Sequence, residues 1–276
     1  MIFNSVYYYF IIFGIALGIS IGIISAYMTI KKWSMFGDII SHAALPGMVL
    51  CFLITQSIAL PILIFGGFLS SLLSISFSFY LEKYNNFPKD TSFALLLSWF
   101  FSIGIIAFNI IQKKGIIGQS ILNSFIFGNI LMINHNHVYY YIIYSIILFL
   151  IMYYTKKKQE YFAFDQIFSK IKYKYVFFWE LLFLIISILT IVIALQSIGI
   201  LLIGGLIILP GNTARLFCNS YTSLFWWSII FSVLIFLSGI SLTFYFTYLP
   251  TGPICLLCAS LLFFSVFLFQ KIKNKI

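Results

Sequence analysis

Long runs of apolar residues, separated by short polar breaks, make up the chain from one end to the other. Runs such as 11–30 and 60–81 reach the roughly 20 residues that a helix needs to cross a bilayer. They do not alternate apolar and polar residues, as the strands of a membrane barrel would. The pattern predicts an all-α, polytopic transmembrane helical bundle. Its spans are expected near residues 5–30, 38–55, 58–81, 91–111, 138–155, 177–196, 198–214, 222–245 and 251–270.

Two stretches leave the number of spans at eight or nine. Residues 198–214 contain Gly204, Gly205 and Pro210, so this segment is a full span or a short, broken helix. Residues 119–133 are apolar but are interrupted at Gly128, a pattern that fits a re-entrant half-helix. The whole chain, 1–276, is predicted to be a single transmembrane domain.

Composition and charge support membrane embedding. The chain is 62% hydrophobic and only 8% charged, whereas soluble domains carry about 25% charged residues. The net charge of +10 comes from lysines clustered between the spans, at 31–32, 83–89, 156–174 and 271–275. The positive-inside rule places such clusters on the cytoplasmic side. The charge therefore indicates membrane topology, and no nucleic-acid partner. The expected location is a bacterial cytoplasmic (inner) membrane, with the chain crossing it several times.

One sizeable polar segment stands out, "KKKQEYFAFDQIFSKIKYKY" at about 156–175. It is basic and amphipathic. It could be an interfacial helix on anionic membrane lipid, or a docking element for a cytoplasmic partner. Position alone does not separate these two interpretations.

The stretch "GDIISHAALPG", residues 37–47, places ionisable side chains inside a predicted span. Asp38 and His42 are four residues apart and so share one helix face. Carboxylate and imidazole together suit a divalent transition metal. Pro46 cannot donate to the carbonyl of His42, and interrupted helices at membrane depth often line transport cavities. The alternative is that Asp38 is a helix N-cap and His42 a hydrogen-bonded core residue.

Two further histidines lie in the sequence "NHNH", in a loop predicted to face outward. His135 and His137 could pass a metal ion inward toward the membrane. They could equally be ordinary loop residues.

Several motifs, in this order, give the chain a resemblance to a known family. They are "GDIISHAALPG" (37–47), "FGN" (127–129), "FD" (164–165), "SIGILLIGGLIILPGNTARL" (197–216) and "LPTGP" (249–253). The chain resembles the metal-ion permeases of ABC importers, of the zinc, manganese and iron uptake type. The resemblance covers nearly the whole sequence.

The resemblance implies how such a protein works. Two copies of the permease form the pathway, two cytoplasmic ABC ATPase subunits drive it, and an extracytoplasmic metal-binding protein delivers the ion. Asp38 and His42 match the family residues expected to contact the ion in transit. Phe164 and Asp165 match the loop that receives the ATPase. The chain departs from the family near 171–173, where the sequence "IKY" supplies no glycine.

The sequence thus predicts a transport subunit rather than an enzyme. It lacks the GxxxxGK[ST] loop that holds ATP phosphates, so ATP hydrolysis is expected in a separate chain. No permanently bound cofactor is expected, and the transported ion is predicted to be zinc, with manganese or iron as alternatives. A proton-coupled secondary transporter using Asp38 and His42 is the rival hypothesis.

Overall fold

The computed structural model describes residues 2–57, 59–114, 125–126, 128, 135–164, 175–246 and 250–273. Within these ranges the chain is helical and contains no strand, which confirms the predicted helical membrane bundle. The helices are α1 (Ile2–Lys31), α2 (Phe36–Thr55), α3 (Leu60–Asn85), α4 (Lys89–Lys114), α5 (His135–Tyr154), α6 (Lys156–Phe164), α7 (Val176–Ile198), α8 (Ile203–Arg215), α9 (Tyr221–Tyr245) and α10 (Thr251–Lys273).

Eight of these described helices are long and apolar enough to cross a bilayer: all except α6 and α8. Of the two alternatives for 198–214, the short helix is confirmed and the full span is not. A turn at 199–202 separates α7 from α8, and Gly199 adopts a left-handed φ of 93° there. The 13 residues of α8 extend about 20 Å, which is too short for a hydrocarbon core of about 30 Å.

The predicted re-entrant segment, 119–133, lies almost wholly outside the described residues. Of it, only Phe125, Ile126 and Gly128 are described. The carbonyl oxygen of Phe125 accepts a hydrogen bond from the backbone N–H of Ile200, at 2.9 Å. This bond supplies a partner for one backbone group in the turn between α7 and α8, where the helical bonds stop.

The chain divides into two compact units, each assembled from separate parts of the sequence. The first comprises residues 1–33, 130–186 and 205–276, and the second comprises 34–129 and 187–204. The single transmembrane domain stays a prediction.

In the first unit, α1 packs directly against the backbone of α9. A Cβ on Gly18 would lie 2.7 Å from the Cα of Val233, and one on Gly22 would lie 2.7 Å from the Cα of Ile229. The hydroxyl of Ser228 also donates to the carbonyl of Gly22, at 2.7 Å. Small residues allow such close approach in membranes, where packing and interhelical hydrogen bonds replace the hydrophobic effect.

The start of the basic segment is anchored in the same unit by a buried polar group. Gln159 in α6 is fully buried and donates to the carbonyl of Met152, at 2.8 Å. Its side-chain oxygen accepts a hydrogen bond from the hydroxyl of Tyr221 in α9. The nitrogen and the oxygen of the Gln159 amide both have hydrogen-bond partners. Burying this side chain therefore does not cost the free energy of an unpaired polar group.

In the second unit, α2 packs against α3 and α4. Gly47 of α2 and Gly66 of α3 meet so closely that a Cβ on Gly47 would lie 2.1 Å from the carbonyl oxygen of Gly66. Ser71 of α3 donates to the carbonyl of Ile40, at 3.0 Å. These contacts hold the helix that carries Asp38 and His42.

Candidate metal-contact site on helix α2

Helix α2 places Asp38 and His42 one turn apart on the same face. It runs from Phe36 to Thr55 without a break, so the interruption expected at Pro46 is absent. A proline removes a single helical bond, and tight packing on both sides keeps the helix continuous. Next to Pro46, a Cβ on Gly104 of α4 would lie 2.0 Å from Leu45 Cδ2.

Asp38 lies in the first turn of α2 and is half-buried. The alternative that it caps the helix is wrong, because the N-cap residue is Met35 and the helix begins before Asp38. The Asp38 carboxylate has no ion-pair partner among the described residues. Its two oxygens therefore stay available as ligands.

The space for this carboxylate is provided by Gly204. A Cβ at Gly204 would lie 1.6 Å from Asp38 Oδ1 and 2.4 Å from Asp38 Cγ. The carboxylate thus occupies the position where any other residue would carry its side chain. The sequence suggested only that Gly204 and Gly205 permit close helix approach, and the contact with Asp38 was missed.

His42 places an imidazole nitrogen on the same face, a donor type that can bind a transition metal. Its Nδ1 is buried and has no hydrogen-bond partner in the part of the chain that the structure describes. The ring is half-buried and meets the ring of Phe101 edge to face, with centroids 4.6 Å apart. The alternative of a hydrogen-bonded core histidine is therefore not supported by these contacts.

Two motifs far apart in the sequence also meet in this unit. Gly128 of "FGN" has a left-handed φ of 73°. A Cβ there would lie 2.2 Å from the carbonyl carbon of Ile198, next to the turn that precedes α8. The turn that leads into Gly204 is thus packed against Gly128.

The other predicted site residues have mixed outcomes. His137 is in α5, in the first unit, with Nδ1 buried and unpartnered among the described residues. For His135 the structure describes the backbone but not the side chain. Asp165 lies entirely outside the described residues. Phe164 ends α6 with 68% of its surface exposed. Across the described ranges, no three His, Cys, Asp or Glu side chains come together, so Asp38 and His42 supply two donors.

Comparisons with known proteins identify the class of this chain. The model of the ABC 3 transport family matches residues 6–270. The manganese transport system membrane protein MntC of Bacillus subtilis is 31% identical over 250 residues, covering 90% of this chain and 57% of that protein. The zinc transport system membrane protein TroC of Treponema pallidum is 25% identical over 241 residues, covering 87% of this chain and 81% of that protein.

A solved structure agrees. PsaBC from Streptococcus pneumoniae, in complex with Fab, superposes with a TM-score of 0.81 at 26% identity, covering 94% of this chain and 89% of that chain. The chain belongs to the ABC 3 transport family. The metal-ion permease family predicted from the motifs is confirmed, and the chain is a multi-pass membrane permease subunit of a metal-transporting ABC system.

The contact between Gly204 and Asp38 makes a specific prediction. Gly204→Ala is expected to lower metal uptake by about tenfold or more. Mutation of a residue that only positions a metal ligand typically lowers metal affinity or activity by roughly 10–100-fold. The added methyl group must push the carboxylate of Asp38 out of its position. Uptake of radioactive metal, measured at matched membrane levels, checks this.

The neighbouring glycine provides the control. A Cβ on Gly205 meets only the end of the Leu256 side chain, at 2.7 Å, which can rotate away. Gly205→Ala should therefore transport like the wild type. If Gly204→Ala takes up metal as well as Gly205→Ala and the wild type do, the position of the Asp38 carboxylate does not affect transport.

Proposed function

We propose that this chain forms the ion path of an ATP-driven importer of a divalent transition metal in a bacterial cytoplasmic membrane, with Asp38 and His42 contacting the ion in transit. The observation that carries the proposal is a carboxylate and an imidazole on one face of a membrane-spanning helix, the imidazole having a buried Nδ1 without a hydrogen-bond partner among the described residues. Ionisable groups are costly inside a membrane and commonly mark ion pathways.

The two donors suit transport better than storage. A closed zinc site has four protein ligands, whereas Asp38 and His42 provide two from one chain. A second copy of the permease would bring the same pair and complete a transient site between the copies. Such a site would be loose enough to release its ion when the two copies rearrange from outward to inward access.

The proposed metal is zinc, with manganese or iron(II) as the alternatives. A carboxylate with an imidazole suits all three. The relatives include both a manganese and a zinc transport protein, so zinc stays a prediction. In this proposal an extracytoplasmic metal-binding protein delivers the ion and contributes to its selection.

Cytoplasmic ATPase subunits would dock at the segment that begins with α6. The base of this segment is held by Gln159 and Tyr221, while Phe164 projects at its end with most of its surface exposed. Lys158 lies over the ring of Trp179, at 3.3 Å from its centroid. An anchored base with an exposed aromatic end suits a segment that passes movement from a partner into the helices.

The test is metal uptake by cells that express the chain with its binding protein and ATPase, offered zinc, manganese and iron(II) together. The expected result is accumulation of one metal, and its loss when the phosphate-binding lysine of the ATPase is replaced. A proton-coupled secondary transporter would keep its uptake with the inactive ATPase, and would lose it when the proton gradient is collapsed. That result would overturn the ATP-driven proposal.

A further inference from the structure

A cavity of about 550 Å³ lies in the first unit, at one end of its membrane spans. It is bordered by the end of α1, the end of α6, the end of α8 and the start of α9. Its wall includes Lys31, Lys32, Phe164, Arg215, Asn219 and Leu224. We propose that this cavity binds the phosphate group of an anionic phospholipid.

The charge of the cavity is positive even after internal pairing. Lys31 is paired with Glu180, at 3.3 Å, and its side chain is only 6% exposed. Lys32 and Arg215 are exposed, and neither has an ion-pair partner among the described residues. Glu160 lies close enough to Tyr221 to act on it electrostatically but does not line the cavity. Two cations therefore face the cavity, and no described residue of its wall supplies them with a counter-charge.

The chemistry of these groups fits phosphate. Arginine presents a planar fork of N–H donors that matches phosphate oxygens, and lysine adds a mobile point charge. The amide of Asn219 and the hydroxyl of Ser220 also line the cavity and add uncharged donors. A phosphodiester with one negative charge would be bound by charge and by hydrogen bonds together.

A lipid is the source that fits the surroundings. The cavity lies where α1 and α9, both membrane spans, end and begin. The lysine clusters assign this end to the cytoplasmic leaflet, whose surface is anionic. Apolar side chains of Ile30 and Leu224, and the exposed ring of Phe164, stand beside the cations. Basic pockets between membrane helices on this side bind anionic headgroups.

A substitution at Lys32 can remove a charge from the cavity without straining the backbone. It ends α1 in a left-handed conformation, with φ of 57°. Its N–H bonds the carbonyl of Thr29 and the N–H of Trp33 bonds that of Met28, the pattern of a Schellman motif. Glycine is the preferred residue at this position. Lys32→Gly therefore removes the charge and eases the backbone, so loss of binding would not reflect misfolding.

The experiment uses the full chain reconstituted in bilayers of phosphatidylcholine and phosphatidylglycerol, extracted gently and analysed by native mass spectrometry. The wild type should retain phosphatidylglycerol in preference to phosphatidylcholine. Lys32→Gly and Arg215→Gln should each weaken this retention by about fivefold. Lys83→Gln is the matched control, because Lys83 does not line the cavity, and should behave as wild type.

Four results would overturn the proposal. Equal retention of both lipids by the wild type would remove the anion preference, and unchanged retention by the two variants would remove the cavity. Complete displacement by excess inorganic phosphate would identify free phosphate as the ligand in place of lipid. Normal lipid retention with weakened binding of the ATPase would assign the cations to the protein partner. None of these results depends on which metal is transported.

Discussion

Asp38→Asn and His42→Gln are each expected to lower metal uptake by about tenfold or more, with little change in the amount of folded protein. Each substitution roughly keeps the size of the side chain but removes the carboxylate or imidazole that we propose contacts the metal. Loss of a residue that hydrogen-bonds a metal ligand typically lowers metal affinity or activity by roughly 10–100-fold. Loss of a direct ligand should lower metal uptake by at least as much. Both side chains are half-buried and take no part in an ion pair among the described residues, so stability should change little.

The measurement is uptake of the transported metal at matched membrane levels, over a range of metal concentrations. Asp90→Asn is the matched control, since Asp90 is an exposed carboxylate at the start of α4. If Asp38→Asn and His42→Gln transport as well as the control, the ion path lies elsewhere. The assignment of the chain to the metal permeases would survive that result.

Gly47→Ala is expected to cause a large loss of stability, of about 3 kcal/mol or more. The new methyl group would lie 2.1 Å from the backbone oxygen of Gly66 and 2.2 Å from Ser70 Oγ. A backbone carbonyl in a helix cannot turn away, so α2 and α3 would have to separate. Thermal unfolding in detergent, followed by size-exclusion chromatography, measures the effect.

A nearby glycine again provides the comparison. A Cβ on Gly67 would meet the side chains of Met48 and Val192 at 3.1 Å, where small rotations give enough room. Gly67→Ala should therefore stay close to the wild-type melting temperature. A similar loss in both variants would show that neither α2 nor α3 tolerates a larger residue where the two helices meet. No loss in Gly47→Ala would contradict the close approach of the two helices.

The sequence predicted the parts of the fold that depend on local composition. Apolar runs of about 20 residues located the eight spans of the described chain, because a bilayer requires continuous apolar helices. The same criterion left 198–214 open between a full span and a short helix, since apolar composition does not reveal a turn that forms its bond with the distant Phe125. The helical spacing of Asp38 and His42 was also readable from sequence.

The residues that surround Asp38 and His42 could not be predicted from the sequence. Gly204 lies far from Asp38 in the sequence, and nothing in its own neighbours indicates that a carboxylate occupies the space beside it. The ring of Phe101 beside His42 is one of 33 phenylalanines in the chain. Such contacts are decided by helix packing, so only the three-dimensional structure singles them out.

The glycine face of α1 also has a consequence for how the protein is made. A ribosome synthesises α1 before its partner α9, and seven other described helices lie between them in the chain. Until α9 is synthesised, Gly18 and Gly22 have no backbone to pack against and the carbonyl of Gly22 lacks the hydroxyl of Ser228. Closing that contact joins two helices across a long sequence separation. Assembly of the first unit is therefore completed only after α9 has been synthesised.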